Sequence, residues 1–200
     1  MLPALLDIDD KCRDLNDRME GVYDVLQDQH EGRPLFWSAK PSISPLEPGT
    51  DQDASGKSLD SPLHLLSHDV ARLLTLYWAQ QTLLNMGRNE VRAGLAHMAA
   101  AGLVAGHAER VQQSLSHPCK PLLEPAHLVL RSREYCCSTQ STLLRFSVPL
   151  NITLDVLAGK PELHREEIRI AKEVKRRISQ RFLRITQFTS TLEHVKDLDV

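Results

Sequence analysis

A chain of 200 residues is long enough for one domain with a real core and too short for two large ones. Hydrophobic residues at 42% and charged residues at 25% exclude wholesale disorder. A formal net charge of -2 gives no general pull toward nucleic acid or acidic membranes, partners that call for a strongly basic face.

The charge is unevenly spread. Residues 1–31 hold nine acids against Lys11, Arg13 and Arg18, whereas residues 165–184 hold eight bases against three acids. The four cysteines, Cys12, Cys119, Cys136 and Cys137, show no Cys-x-x-Cys spacing, and the chain opens without a basic region followed by an apolar run. Reduced thiols and a soluble intracellular protein are expected, because Arg72, Gln80 and Gln81 interrupt the longest leucine-rich stretch before it reaches bilayer length. A single helical domain over 1–200 follows, divided into an acidic helix and anchor (1–37), a loop (38–60), a helical core (61–189) and a tail (190–200).

From Leu5, apolar residues recur at Ile8, Cys12, Leu15, Met19, Val22, Tyr23 and Leu26, mostly in steps of three and four, which predicts an amphipathic helix. Gly32 and Pro34 stop it, and Leu35-Phe36-Trp37 supplies an apolar anchor. The stretch from Ser38 to Ser61, rich in Pro, Ser, Asp and Gly, buries too little apolar surface to offset its ordering entropy, and reads as one long disordered loop.

A second helix is expected from Ser61-Pro62, a capping residue followed by a first-turn proline, in preference to a start at Ser67. At 100° per residue, Val70, Leu73, Leu74, Tyr77, Trp78 and Leu84 share a face, Leu76 and Leu83 widen it, and Arg72, Thr75 and Thr82 are left for water. A helix this apolar should form the centre of a bundle. An alanine-rich tract follows Asn85-Met86-Gly87, helical despite Gly94, Gly102 and Gly106, until His117-Pro118-Cys119-Lys120-Pro121 breaks it. A further helix is expected from Pro125 to Ser138, burying Ala126 and Val129, with Tyr135 and Cys136 as additional candidates. Pro149 calls for a kink or break in the next one, and Gly159 with Pro161 ends it. A last helix from Glu162 to Phe188 places Ile170, Ala171, Val174, Ile178, Phe182 and Ile185 on one stripe, with Glu173 able to pair with Arg177. The fold class is therefore all-α, an irregular multi-helix bundle, with no strand-period segment beyond an ambiguous Leu128-Val129-Leu130.

Few residues suggest chemistry. His64 and His68 stand at i,i+4 as zinc ligands can, but no glutamate completes a His-Glu-x-x-His pattern, and both would project on the watered side beside Arg72. Cys136 and Cys137, adjacent on a helix, point about 100° apart and cannot easily grip one ion. There is no Gly-x-Ser-x-Gly and no glycine-rich phosphate loop, so no catalytic, cofactor-binding or metal residue is assigned and an enzyme is not expected. The Asn151-Ile152-Thr153 triplet has no consequence without a secretory signal. The run of Lys172, Lys175, Arg176, Arg177, Arg181 and Arg184 reads as the solvated face of an amphipathic helix in preference to a nuclear-import or nucleic-acid patch.

Several stretches carry a resemblance: Pro34-Leu35-Phe36-Trp37 after an acidic helix, the run from His68 to Trp78, Ser132-Arg133-Glu134-Tyr135-Cys136, and Phe146-Ser147-Val148-Pro149-Leu150. Together they make the chain similar to the C-terminal helical regulatory region of fungal binuclear zinc-cluster transcription factors. The six-cysteine cluster by which that family reads DNA is absent. The resemblance implies a nuclear module of transcriptional regulation, possible for a secondary-metabolite gene cluster, that acts through protein partners without specific DNA binding or a zinc cofactor of its own. It would be a shortened product of a longer regulator or a stand-alone relative. The alternatives are a helical protein binding a small effector beside Tyr77 and Trp78, or a small enzyme of the same pathway.

Overall fold

The computed structural model describes residues 2–38, 59, 61–117 and 123–196, with the side chains of 140–142 and 182–196 excepted. Nearly all of the expected loop over 38–60 lies outside the described residues. The elements run α1 (Leu2–Gln29), β1 (Phe36–Ser38), β2 (Leu63–Leu65), α2 (His68–Ala100), α3 (Ala108–Ser116), α4 (Leu123–Arg131), α5 (Arg133–Cys136), α6 (Gln140–Ala158) and α7 (Arg165–Lys196). The fold is all-α, with seven helices and one small hairpin among the described residues.

At 1.5 Å per residue, α2 is about 50 Å long. It is the central element, packing most extensively on α6, then on α1 and α4, and touching α3 and α5 as well. Its N-terminus is not where Ser61-Pro62 suggested. Leu63 and Leu65, both buried with exposed His64 between them, follow the period-2 pattern of a strand and pair antiparallel with Phe36–Ser38, Phe36 opposite Leu65 and Ser38 opposite Leu63. The helix therefore starts at His68, where the Ser67 hydroxyl accepts the Val70 N–H at 3.2 Å.

The expected water-facing side of α2 is also corrected. Thr75 and Thr82 are 2% and 0% exposed, while Leu73 and Leu83 are 44% and 48% exposed. Helix α6 packs closely on α2, and each threonine hydroxyl donates to a carbonyl one turn back, Thr75 to Ala71 and Thr82 to Trp78, both at 2.8 Å. A hydroxyl so paired is buried without leaving a polar atom orphaned. The helix runs through Gly87 and Gly94 to Ala100, but the alanine-rich tract is not helical throughout: Gly102 and Gly106, with φ of 70° and 78°, lie in a turn before α3.

The expected helix from Pro125 to Ser138 is two pieces, α4 and the single-turn α5. Leu128-Val129-Leu130 is helical, and the strand period shows instead in β1 and β2, which sequence reading did not assign. Pro149 lies inside α6 without ending it. Helix α7 continues to Lys196, so the first part of the expected tail is helical; Ala171, Val174 and Ile178 face the core as the stripe required, and Phe182 and Ile185 carry side chains outside the described set. The basic residues from Lys172 to Arg181 are exposed, and Glu173 pairs with both Arg176 (2.8 Å) and Arg177 (3.1 Å).

The largest departure concerns α1. Its expected apolar face points inward only in part: Leu5, Tyr23 and Leu26 pack against the core and Cys12 and Met19 are half-buried, but Ile8, Leu15 and Val22 are exposed, whereas Leu2, Leu6, Asp9 and Asn16 are buried. The helix is rolled so that a polar residue, Asp9, meets α2 and α3.

Candidate functional site

The histidine pair offers no metal site. His64 lies on β2 with its ring stacked on Trp37 (centroids 6.0 Å apart), and His68 sits against Tyr135 at 5.2 Å. Strand and helix geometry send the two rings to different neighbours. Among the described residues no group of three or more His, Cys, Asp or Glu is placed to hold a metal ion, and no helix is long and apolar enough to cross a membrane. Cys136 is buried and Cys137 half-buried; burial pushes the Cys136 thiol up to about 12 and raises that of Cys137 as well.

The structure instead brings three features together along the α1–α2 interface. The first is a buried polar cluster. Asp9 accepts a hydrogen bond from Ser114 of α3 at 2.7 Å, and its other carboxylate oxygen stands 3.7 Å from Arg88 Nε. Arg13 approaches it within the same helix at 3.5 Å. Asn16 continues the line along α1, donating to Glu20 at 2.9 Å. The contacts of Asp9 with Ser114 and Arg88 tie α1 to α3 and α2, while Asp9 Oδ1, Arg88 Nε and Nη2 and Asn16 Oδ1 are buried without a hydrogen-bond partner.

The second is an apolar groove. Toward the C-terminal half of α1, Met19, Val22, Val25 and Leu26 face Leu73, Leu76 and Tyr77 of α2 across a hollow of about 440 Å³. Val22 and Leu73, both in this lining, are exposed, and Ile8, Leu15 and Leu83 are exposed outside it. The polar members of the lining are Gln29 and Gln80; outside it, from Met19 to Gln29, the helix carries Glu20, Asp24 and Asp28 and no base. The bases of α1 lie earlier and are already engaged, Lys11 with Asp7 and Arg18 with Asp14.

The third is an aromatic pocket on the other side of Tyr23 and Tyr77. These two rings lie 5.4 Å apart, and Phe36 meets Trp78 edge-on with centroids 5.1 Å apart at 87°. Around these rings and the first turns of α4 a hollow of about 370 Å³ opens, with Gln81 and Asn85 of α2 in its lining. Both amides belong to residues only 4% exposed, and Gln81 Oε1 and Asn85 Nδ2 have no hydrogen-bond partner. The Gln81 amide is oriented by donating to the Tyr77 hydroxyl at 3.4 Å.

Of these features the sequence indicated Tyr77 and Trp78, together with the Phe36 anchor. It did not indicate Asp9, Asn16, Gln81, Asn85 or Arg88, because polar residues at helical spacing read as solvent-facing. The spacing of Gln81, Asn85 and Arg88, at i, i+4 and i+7 on an otherwise apolar helix, was the available signal. No model of a known family, no curated protein and no solved structure matches the chain.

Proposed function

We propose that the chain is a regulatory interaction module, akin to the helical region of fungal zinc-cluster transcription factors, that takes a basic amphipathic helix of a partner protein into the groove between α1 and α2. The partner belongs to the transcription machinery or is another regulator, and the module works in the nucleus. Neither catalysis nor DNA reading through a zinc cluster of its own forms part of this role.

The observation that carries this reading is the groove between Met19, Val22, Val25 and Leu26 of α1 and Leu73 and Leu76 of α2, next to a stretch of α1 from Met19 to Gln29 that holds three acids and no base. Scattered surface leucines need no explanation, but an apolar hollow walled by two helices is the form of a helix-binding groove. Sign of charge selects the occupant. A partner flanked by Lys or Arg gains beside these acids, whereas a second copy of this face would bring Asp24 and Asp28 against acids of its own kind.

The reading is tested by fusing the chain to an unrelated DNA-binding domain and measuring a reporter in fungal cells, beside titration of a fluorescent leucine–lysine helical peptide. A change in reporter output and saturable peptide binding are expected, both lost in the exposed pair Val22→Glu/Leu73→Glu. A silent reporter, or output and binding indifferent to that pair, overturns it.

A further inference from the structure

We infer that the aromatic pocket between α1, β1, α2 and α4 binds an alkylammonium cation, a quaternary or methylated amine. This site is separate from the groove and does not depend on the reading given for it.

Four rings line one open hollow. Tyr23 and Tyr77 form one pair, Phe36 and Trp78 the other, and each pair has its centroids little more than 5 Å apart. A ring face attracts a cation within about 6 Å of its centroid, and a hollow of about 370 Å³ is small enough for a central cation to feel several rings at once. The volume lies in the range of small-ligand sites, roughly 300–1,000 Å³, and exceeds what a trimethylammonium group fills, leaving space for the chain that carries it.

Charge points the same way. None of the described residues lining the pocket is basic, and Glu124 is among them. Burial holds the ionisation of the Tyr77 hydroxyl above the ordinary range, with smaller contributions from Glu20 and Asp24, and burial followed by Asp24 does the same at Tyr23. The phenols thus stay neutral, with intact π faces, in a field that favours a positive guest.

The amides complete the site. Gln81 Oε1 is an acceptor without a donor, and Gln81 and Asn85 are both more than nine-tenths buried in the pocket wall. A turn of the terminal torsion that releases the 3.4 Å bond to the Tyr77 hydroxyl brings the Gln81 carbonyl to an ammonium N–H or to the polarised methyl groups of a quaternary nitrogen. Leaving a buried acceptor unpaired costs free energy that such a guest removes.

The test uses the full chain with Trp37→Phe, so that Trp78 is the remaining tryptophan and reports by its emission. Choline is titrated beside 3,3-dimethylbutan-1-ol, its uncharged isostere of equal shape. Choline is expected to saturate the signal and to bind at least about tenfold more tightly than the alcohol. Tyr23→Leu should abolish the preference while Tyr23→Phe keeps it, and amide NMR spectra verify that both variants are folded. Peptides carrying trimethyllysine or plain lysine form the second arm: a choline-like response to the methylated peptide alone assigns the cation to a modified protein, and a response to choline only assigns it to a free metabolite. Equal binding of choline and the alcohol, or no saturation by choline or the methylated peptide, overturns the inference.

Discussion

Asp9 and Arg88 face each other across the α1–α2 interface, carboxylate oxygen to guanidinium nitrogen at 3.7 Å, with side chains 0% and 7% exposed. The pair ties the two helices together at a point where water cannot substitute for either partner. Asp9→Ala leaves the Arg88 charge buried and unmatched, and should cost about 3–5 kcal/mol. The double replacement Asp9→Leu/Arg88→Met, which removes both charges, should recover most of that loss. Urea unfolding of the two singles and the double, read as a mutant cycle, measures the coupling.

Trp78 is buried in the principal core cluster, edge-on to Phe36 and beside Leu74 and Leu130 in that cluster. Trp78→Ala should lower stability by about 3–5 kcal/mol through the cavity it leaves. An unchanged midpoint in chemical denaturation would contradict the placement of this ring in the core.

Ser67 holds the first turn of α2 through a single side-chain bond. Ser67→Ala should cost about 1 kcal/mol and Ser67→Asp should cost little, because an aspartate accepts the same N–H and adds favourable charge at the helix start. Pro62, by contrast, lies outside the helix, so Pro62→Ala should have no capping effect; thermal melts of the three variants distinguish the two starting points.

Burial raises the Cys136 thiol from 9.0 to about 12, with the Ser132 hydrogen bond working in the opposite direction and Cys137 adding to the rise. The unfolded chain releases this proton near the ordinary thiol value while the folded chain retains it. The contribution is therefore fully present below about pH 9 and is lost progressively as pH climbs toward 12. At pH 8 iodoacetamide should leave Cys136 unmodified in the native protein and label it once urea is added, as peptide mapping by mass spectrometry will read.

The helical architecture was legible because 3.6-residue periodicity survives in α1, α2 and α7, and Val174 and Ile178 occupy the core as that periodicity requires. Facing was less legible. On α2 the threonines belong inside because their hydroxyls find backbone acceptors, a pairing that hydrophobicity does not record. On α1 the inward side is selected by Asp9, whose partners Ser114 and Arg88 come from distant parts of the chain. The hairpin escaped notice since each strand is three residues long, too short for a period-2 pattern to stand out. The aromatic pocket was half visible: Tyr77 and Trp78 announce themselves by size, but Tyr23 and Phe36 join them only through tertiary packing.

The antiparallel pairing of Phe36–Ser38 with Leu63–Leu65 clamps the two ends of the intervening chain side by side, and Arg131 fastens the clamp from α4 by donating to the Ser61 carbonyl (2.8 Å) and the Ser38 hydroxyl (2.6 Å). Leu59 is tied to the body as well, its carbonyl accepting from Arg133 at 3.0 Å and its side chain packing on the core, so only the stretch between Ser38 and Leu59 spans these anchored points. Doubling its length would add only about 0.6 kcal/mol of closure entropy. That makes this stretch the natural port for inserting an affinity tag, a fluorescent protein or a protease site while the helices on either side stay in place.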